Sequence, residues 1–230
     1  MNICDFIKRE FTGFGKYERI FFPLEILLII FISFLTGDSK IALVSAICGI
    51  SYTILAGKGK ISCYFIGLTG TLCYAYIAYK NHLYGNLFLY ILFYFPMQIV
   101  GIFKWKKHLK KNSQEIIKTK MTGTENIIFF TAVITGSVIL ALILKQFGDA
   151  TPLIDAVTTI FSIGGLILTI KRCIEQWYVW IIVNGLSVIM WIFAYINGSN
   201  CLATVIMWLT YFILAFYFLH NWKKEVSFDI

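Results

Sequence analysis

One segment indicates the fold more directly than any other: Glu175-Gln176-Trp177-Tyr178-Val179-Trp180-Ile181-Ile182-Val183-Asn184. It is apolar enough to lie in a lipid bilayer, yet it carries two indoles and an amide. Trp177, Trp180 and Asn184 are spaced i, i+3, i+7, so they share one stripe of a helix. An amide in hydrocarbon is costly unless something bonds to it. The segment therefore predicts either a site for a flat polar ligand or an interfacial Trp belt whose Asn bonds a neighbouring helix.

The composition places the whole chain in a membrane. Of its 230 residues 59% are hydrophobic and only 14% are charged, whereas soluble domains have roughly 25% charged residues. The net charge of +8 would suggest a nucleic-acid partner in a soluble protein, but here the positions of the charges matter more than their sum. The six cysteines are scattered without a C-x-x-C pair, so we predict no disulfide framework, no metal site and no cofactor.

Eight apolar segments are long enough to cross a bilayer as helices, which takes about 20 residues each. We predict spans at 20–36, 41–57, 61–79, 85–103, 125–145, 152–171, 176–196 and 200–220. The expected fold class is therefore an all-α polytopic membrane protein with eight transmembrane helices. The first span contains Pro23 and Glu25, so an interfacial helix is its alternative.

The basic residues alternate between the two sides of this arrangement. With eight spans, 17 of the 20 Lys and Arg residues lie on the side of both termini. The positive-inside rule then puts both termini in the cytoplasm of a cell whose inner (plasma) membrane holds the protein. The Lys-rich stretch from Lys104 to Lys120 is on this view a cytoplasmic loop attracted to lipid headgroups, so we predict a lipid bilayer and no nucleic acid as partner.

The chain also contains an internal repeat. Trp105 and Trp222 are 117 residues apart, as are Tyr94 and Tyr211, and at the same offset Gly67 falls on Asn184. Spans two to four thus repeat as spans six to eight, in a parallel 3+1+3 core with an extra N-terminal helix. Such repeats are typical of transporters that rock around a site near the midplane. The predicted parts are 1–36 (N-terminal region and extra helix), 41–107 (first repeat), 108–145 (cytoplasmic loop and connecting helix) and 152–224 (second repeat).

Polar side chains recur along the helices of both repeats. Asn86, Tyr90, Tyr94 and Gln98 are each four residues apart on span four, where Pro96 and Gly101 can loosen the helix. Further candidates are Thr159 on span six and Trp208 and Tyr211 on span eight. Apart from Glu25, near one end of the first span, no acid or base lies within the predicted spans at mid-membrane, which argues against proton coupling. Amides, hydroxyls and aromatic rings instead suit an uncharged or cationic aromatic molecule.

At several points the chain resembles the PnuC vitamin transporters. The most specific block runs from Lys171 to Asn184 and includes E-Q before W-x-x-W-x-x-x-N. Asp155-Ala156-Val157-Thr158-Thr159, Pro96-Met97-Gln98-Ile99-Val100-Gly101, Lys104-Trp105 and Asn221-Trp222-Lys223 match the family's pattern as well. The resemblance covers most of residues 40–225.

The resemblance implies uptake of nicotinamide riboside by a SWEET-like protein that is not an enzyme. It further implies a homotrimer, facilitated diffusion, and trapping of the substrate through phosphorylation by a cytoplasmic kinase. It places substrate contacts at Trp177, Trp180, Asn184 and Gln98. Relatives carry thiamine or riboflavin, and no residue here excludes them.

Two other classes of protein remain as alternatives. A membrane-embedded enzyme acting on lipid would call for paired acids or a His/Asp cluster, but Asp38, Asp149 and His82 are far apart in the sequence. A membrane sensor or structural protein would leave the repeat and the polar stripes without a purpose. The site chemistry and the resemblance both favour a transporter.

Overall fold

The computed structural model describes residues 12–16, 18–37, 39–80, 84–110, 115–148, 151–198 and 202–228, without the side chains of residues 84–86, 203, 227 and 228. Eight helical segments account for most of this part of the chain. They are α1 (Glu18–Thr36), α2 (Lys40–Gly57), α3 (Ser62–Lys80), α4 (Tyr84–Leu89, Tyr90–Tyr94 and Phe95–Lys106), α5 (Gly123–Gln146), α6 (Pro152–Lys171), α7 (Gln176–Ile196) and α8 (Leu202–Phe228).

Each helix coincides with a predicted span. Seven of the eight are long and apolar enough to cross a membrane, which confirms the prediction of an all-α, multi-pass membrane protein. The helix that falls outside these seven is α3, because its sequence mixes glycines, hydroxyl residues and tyrosines with the apolar ones. That α3 also crosses the membrane stays a prediction. A 20-residue helix is about 30 Å long, so hydrocarbon thickness sets these lengths.

The chain forms two compact units, Met1–Ile117 and Lys118–Ile230. In the first unit, α2 packs against α1 and α3, and α3 packs against α4. In the second unit, α6 packs against α5 and α7, and α7 packs against α8. The domain bounds predicted from the sequence are finer than this division and stay predictions.

A similar turn occurs in each unit. Gly59, after α2, and Arg172, after α6, both have left-handed backbones, with φ of 66° and 64°. In the first unit the carbonyl of Gly59 accepts a hydrogen bond of 3.0 Å from the Ile116 N–H. In the second unit the carbonyl of Arg172 accepts one of 2.9 Å from the Thr119 N–H. Left-handed backbone is unfavourable for a residue with a Cβ, so neighbouring bonds must hold Arg172 in this conformation.

An aromatic pair joins two helices in each unit. Tyr64 of α3 lies edge-on to Trp105 of α4, with ring centroids 4.9 Å apart. Trp177 of α7 lies edge-on to Trp222 of α8, with centroids 5.7 Å apart. Trp105 and Trp222 are fully buried. Buried edge-to-face pairs stabilise helix packing by about 0.5–1.5 kcal/mol beyond area burial, so each pair fixes the start of one helix against the end of the next.

Helix α4 is irregular where the sequence contains proline. Residues Tyr90–Tyr94 form a π-helical turn, and the Phe95 N–H bonds to the carbonyl of Tyr90, five residues back. Pro96 follows directly and has no N–H to offer to this region, so the predicted loosening occurs just before it. Gly101, in contrast, lies in the regular helix Phe95–Lys106, where a Cβ would collide with the ring of Tyr64. Its role here is to admit that ring.

Helix α1 has one buried stripe and an exposed apolar remainder. Its buried residues are Glu18, Phe22, Glu25, Ile29 and Ser33. Glu18 forms a salt bridge of 2.9 Å with Lys58 at the end of α2. Because its other faces carry exposed Leu, Ile and Phe side chains, α1 has the surface of a lipid-facing helix.

Candidate functional site

A buried amide links two helices of the first unit. The Gln98 side chain is 6% exposed, and its Nε2 donates a 2.7 Å hydrogen bond to Thr71 Oγ1 on α3. Its Oε1 has no hydrogen-bond partner among the described residues. This oxygen lies 2.9 Å from the point that a Cβ on Gly67 would occupy. The first unit therefore offers an unused acceptor beside a helix surface without a side chain.

Two tyrosines that were not among the predicted site residues lie in the same unit, one of them beside the amide. The Tyr52 ring approaches the same Gly67 position, at 2.7 Å from the hypothetical Cβ, and lies edge-on to Tyr64. The hydroxyls of Tyr52 and Tyr64 are buried without partners in the described part of the chain. Buried hydroxyls are normally hydrogen-bonded. Thr71 was missed too, because we selected polar residues by stripes on single helices and not by pairing across helices.

Two residues of the predicted stripe on α4 contact helix α3. Tyr90 contacts Tyr94, with centroids 4.9 Å apart, and stacks on Tyr74 of α3 at 4.2 Å. Gln98 bonds Thr71, three residues before Tyr74 and so on the same face of α3. The side chain of Asn86 lies outside the described residues. The π-helical turn at Tyr90–Tyr94 lies within this stripe.

In the second unit Trp177 is enclosed by aromatic rings. It is 2% exposed, and besides Trp222 it contacts Phe218, with ring centroids 5.2 Å apart. Its indole Nε1–H is buried without an acceptor among the described residues. Stacking of a ligand on Trp177 stays a prediction, and it requires displacement of a neighbouring ring.

Trp180 is more accessible than Trp177. It is half-buried, and its Nε1–H donates a 3.4 Å bond to Thr169 Oγ1 on α6. Its ring lies over Gly165, where a Cβ would be 3.0 Å from two ring carbons. Thr169 itself donates to the Gly165 carbonyl. The indole is thus oriented from one edge and supported on one side, as a stacking platform requires.

Asn184 lies one helical turn beyond Trp180 on the same helix and is 6% exposed. Buried amides are normally hydrogen-bonded, and that Asn184 binds a polar group of a ligand stays a prediction.

The remaining predicted residues of this unit lie on two other helices. Trp208 and Tyr211 of α8 contact each other edge-on, with centroids 5.8 Å apart, and both are half-buried. Thr159 on α6 is half-buried as well. Trp208 packs against the apolar core of the unit, which includes Val179 and Val183 of α7. None of these contacts tests a role in binding, so the assignment stays a prediction.

The turn before α7 is a structural support for these residues. The Glu175 carboxylate accepts hydrogen bonds of 3.1 and 3.2 Å from the backbone N–H of Met121. Burial raises the pKa of the neighbouring Cys173 thiol above its ordinary value. The thiol therefore stays protonated near neutral pH, and it packs in the core of the unit. Glu175, which the sequence showed only as part of a motif, thus holds Met121, just before α5, against the turn that precedes α7.

The helices and the buried side chains of the two units define the class of protein: a multi-pass helical membrane protein with buried amides, indoles and hydroxyls. Within the described helices, Lys and Arg occur only near the helix ends. Such a set of groups can stack on a ring and hydrogen-bond an uncharged polar group.

Comparison with known proteins identifies the family. Residues 39–224 match the family described as nicotinamide mononucleotide transporter. A nicotinamide riboside transporter PnuC of Neisseria mucosa is 33% identical over 96% of this chain and 86% of its own length. The PnuC of Haemophilus influenzae is 31% identical over 99% of both chains. A crystal structure of the vitamin B3 transporter PnuC, 32% identical, superposes with a TM-score of 0.84 over 99% of both chains.

The chain belongs to this transporter family, so the resemblance to PnuC proteins is confirmed. Membership in a family of transporters also agrees with the expectation that the protein is not an enzyme.

Proposed function

We propose that this protein transports nicotinamide riboside across the inner (plasma) membrane. The observation that carries the proposal is its similarity, over almost the whole chain, to proteins that bear this function in their names. The chemistry of the side chains in each unit agrees with it: in the second unit the indole of Trp180 suits a pyridinium ring and the amide of Asn184 suits a carboxamide or a ribose hydroxyl, and in the first unit the amide of Gln98 suits the same polar groups.

The riboside is a better substrate for this chain than the mononucleotide in the family's description. A mononucleotide carries a phosphate, which proteins bind with Arg, Lys or helix N-termini. The candidate residues contain aromatic, amide and hydroxyl groups and no cation. A buried phosphate would remain without a countercharge, which is costly in a low-dielectric interior. Thiamine and riboflavin, which also carry rings and polar groups, are the alternative substrates.

The mechanism we propose is facilitated diffusion by alternating access. The similar turns at Gly59 and Arg172, and the similar pairs Tyr64–Trp105 and Trp177–Trp222, support a 3+1+3 arrangement with α1 as the addition. Its parts are the predicted segments 1–36, 41–107, 108–145 and 152–224, and each repeat moves as one body.

Retention of the substrate then depends on chemistry inside the cell. A carrier that is not coupled to an ion gradient brings its ligand only to equal concentrations on the two sides of the membrane. A cytoplasmic kinase that phosphorylates the riboside would therefore trap it inside the cell. The charge distribution supports eight spans with both termini in the cytoplasm. The family resemblance supports a homotrimer.

Uptake into sealed liposomes tests the transport proposal. Purified protein should bring labelled nicotinamide riboside to equal inside and outside concentrations, without dependence on a proton or sodium gradient. The mononucleotide should not enter, and liposomes without protein are the control. Accumulation above the outside concentration, abolished by an ionophore, would contradict facilitated diffusion. Entry of thiamine or riboflavin in place of the riboside would contradict the substrate.

A further inference from the structure

The hydrogen bond between Gln98 and Thr71 determines which end of the amide is left for a ligand. A threonine inside a helix can give its one hydrogen to a carbonyl a turn earlier, as Thr69 does to Phe65 in the same helix α3. In the structure the hydroxyl oxygen of Thr71 is the acceptor, and the amide of Gln98 presents its NH₂ group to it over a bond of 2.7 Å.

The carbonyl end of the amide points the other way and is unused. Gln98 Oε1 is buried beside Gly67 and has no hydrogen-bond partner among the described residues. The Tyr52 ring lies over the same glycine, so a ligand reaches the oxygen once that ring turns aside. A buried acceptor without a donor is unfavourable, and a ligand N–H that pairs with it removes this penalty.

We infer that Thr71 is a positioning residue that makes Gln98 an acceptor, and that this acceptor selects a carboxamide over a carboxylate. Nicotinamide riboside carries a carboxamide with two N–H donors. Nicotinic acid riboside has the same ring and sugar but a carboxylate, which can only accept. The carboxylate would face the Gln98 oxygen with like partial charge, and no cation lies among the candidate residues to offset it. This inference rests on the proposed function.

Matched variants test the positioning role through a ratio of affinities. Wild-type protein should bind nicotinamide riboside at least about tenfold more tightly than nicotinic acid riboside, the effect of one well-formed hydrogen bond or more. Thr71→Val keeps the shape but removes the hydroxyl, so the amide can turn its NH₂ to the ligand, and the ratio should fall about tenfold. Thr71→Ser, which restores a hydroxyl, should recover the wild-type ratio.

Thr69→Val is the control, because it makes the same change on an exposed face of the same helix, where the hydroxyl bonds only its own helix. It should leave the ratio unchanged. An unchanged ratio in folded Thr71→Val protein would overturn the inference, and so would an equal fall in Thr69→Val. A purely structural role for Thr71 would lower both affinities together and leave their ratio intact.

A second measurement needs no variant and remains decisive if Thr71→Val does not fold. An analogue of the riboside with an N,N-dimethylated carboxamide has no N–H donor there, and a 2′-deoxy analogue retains the carboxamide but loses a ribose donor. Wild-type protein should lose about tenfold in affinity for the first, and the second measures the ribose contact separately. Equal affinity for the dimethyl analogue and the riboside would overturn the carboxamide assignment. If wild-type protein bound no nicotinamide riboside, the proposed function would fail and this inference with it.

Discussion

Trp177 packs edge-on against Trp222, with ring centroids 5.7 Å apart and ring planes at 78°. Phe218 also contacts Trp177, and the planes of these two rings form an angle of 33°. The two contacts make Trp177 part of the packing between α7 and α8. Trp180, three residues on, is half-buried and bonded by its N–H. The two indoles of one sequence motif thus have different surroundings.

Replacing Trp177 by alanine should lower stability more than replacing Trp180. Loss of a buried tryptophan costs about 3–5 kcal/mol, and Trp180→Ala should cost less because that ring is already partly exposed. Thermal unfolding of both purified variants measures the difference, with nicotinamide riboside affinity measured alongside. If Trp177→Ala melted like wild type but lost the ligand, Trp177 would be a ligand platform and not a packing residue.

Asn184→Leu should weaken nicotinamide riboside binding about tenfold or more while the protein still folds. A ligand polar group left unpaired in a buried site costs about 1–3 kcal/mol, and 1.4 kcal/mol is a factor of ten. Asn126→Leu is a suitable control, because that amide bonds carbonyls of Met121 and Thr122 at the start of α5. Calorimetric titration gives both affinities. Equal affinity in wild type and Asn184→Leu would rule out this contact.

Gly67→Ala should destabilise the first unit and disturb the Gln98 amide. The new methyl group would lie 2.7 Å from a Tyr52 ring carbon and 2.9 Å from Gln98 Oε1, so both must move. Overpacking of this kind costs about 1–3 kcal/mol. Gly123→Ala, at the start of α5, meets nothing within 4 Å and should change stability by less than about 0.5 kcal/mol. Equal melting temperatures for the two variants would show that the Tyr52 ring moves aside without a loss of stability.

Glu115→Gln should cost more stability than Glu225→Gln. Glu115 pairs at 3.1 Å with Lys60, whose side chain is fully buried, so the variant leaves a buried ammonium with a neutral partner. We expect a loss of about 1–3 kcal/mol. Glu225 pairs with Lys118 but is 41% exposed, and Lys118 retains the Trp222 ring at 4.8 Å, so that loss should stay below about 1 kcal/mol. Thermal unfolding compares the stabilities of the two variants. A greater loss in Glu225→Gln would mean that contacts other than Glu115 stabilise the buried Lys60 ammonium.

The sequence was sufficient to place the helices. A helix in hydrocarbon must form all its backbone hydrogen bonds internally, and its length must match the thickness of the hydrocarbon layer. Apolar segments such as 176–196 therefore predict helices directly. The structure has α7 over Gln176–Ile196 and α6 over Pro152–Lys171, as predicted. The W-x-x-W-x-x-x-N motif was equally decisive for the family, because its residues are close in sequence and lie on one helix.

What the tertiary structure decided is how side chains from different helices meet. Gln98 lies 31 residues from Gly67 and 27 from Thr71 in the sequence, and only packing of α4 on α3 brings the amide to both. The stacking of Tyr90 on Tyr74 likewise depends on how α4 packs on α3. Periodicity specifies which residues share a face of a helix, but the neighbour that covers this face depends on rotations and crossings set by the whole packed interior.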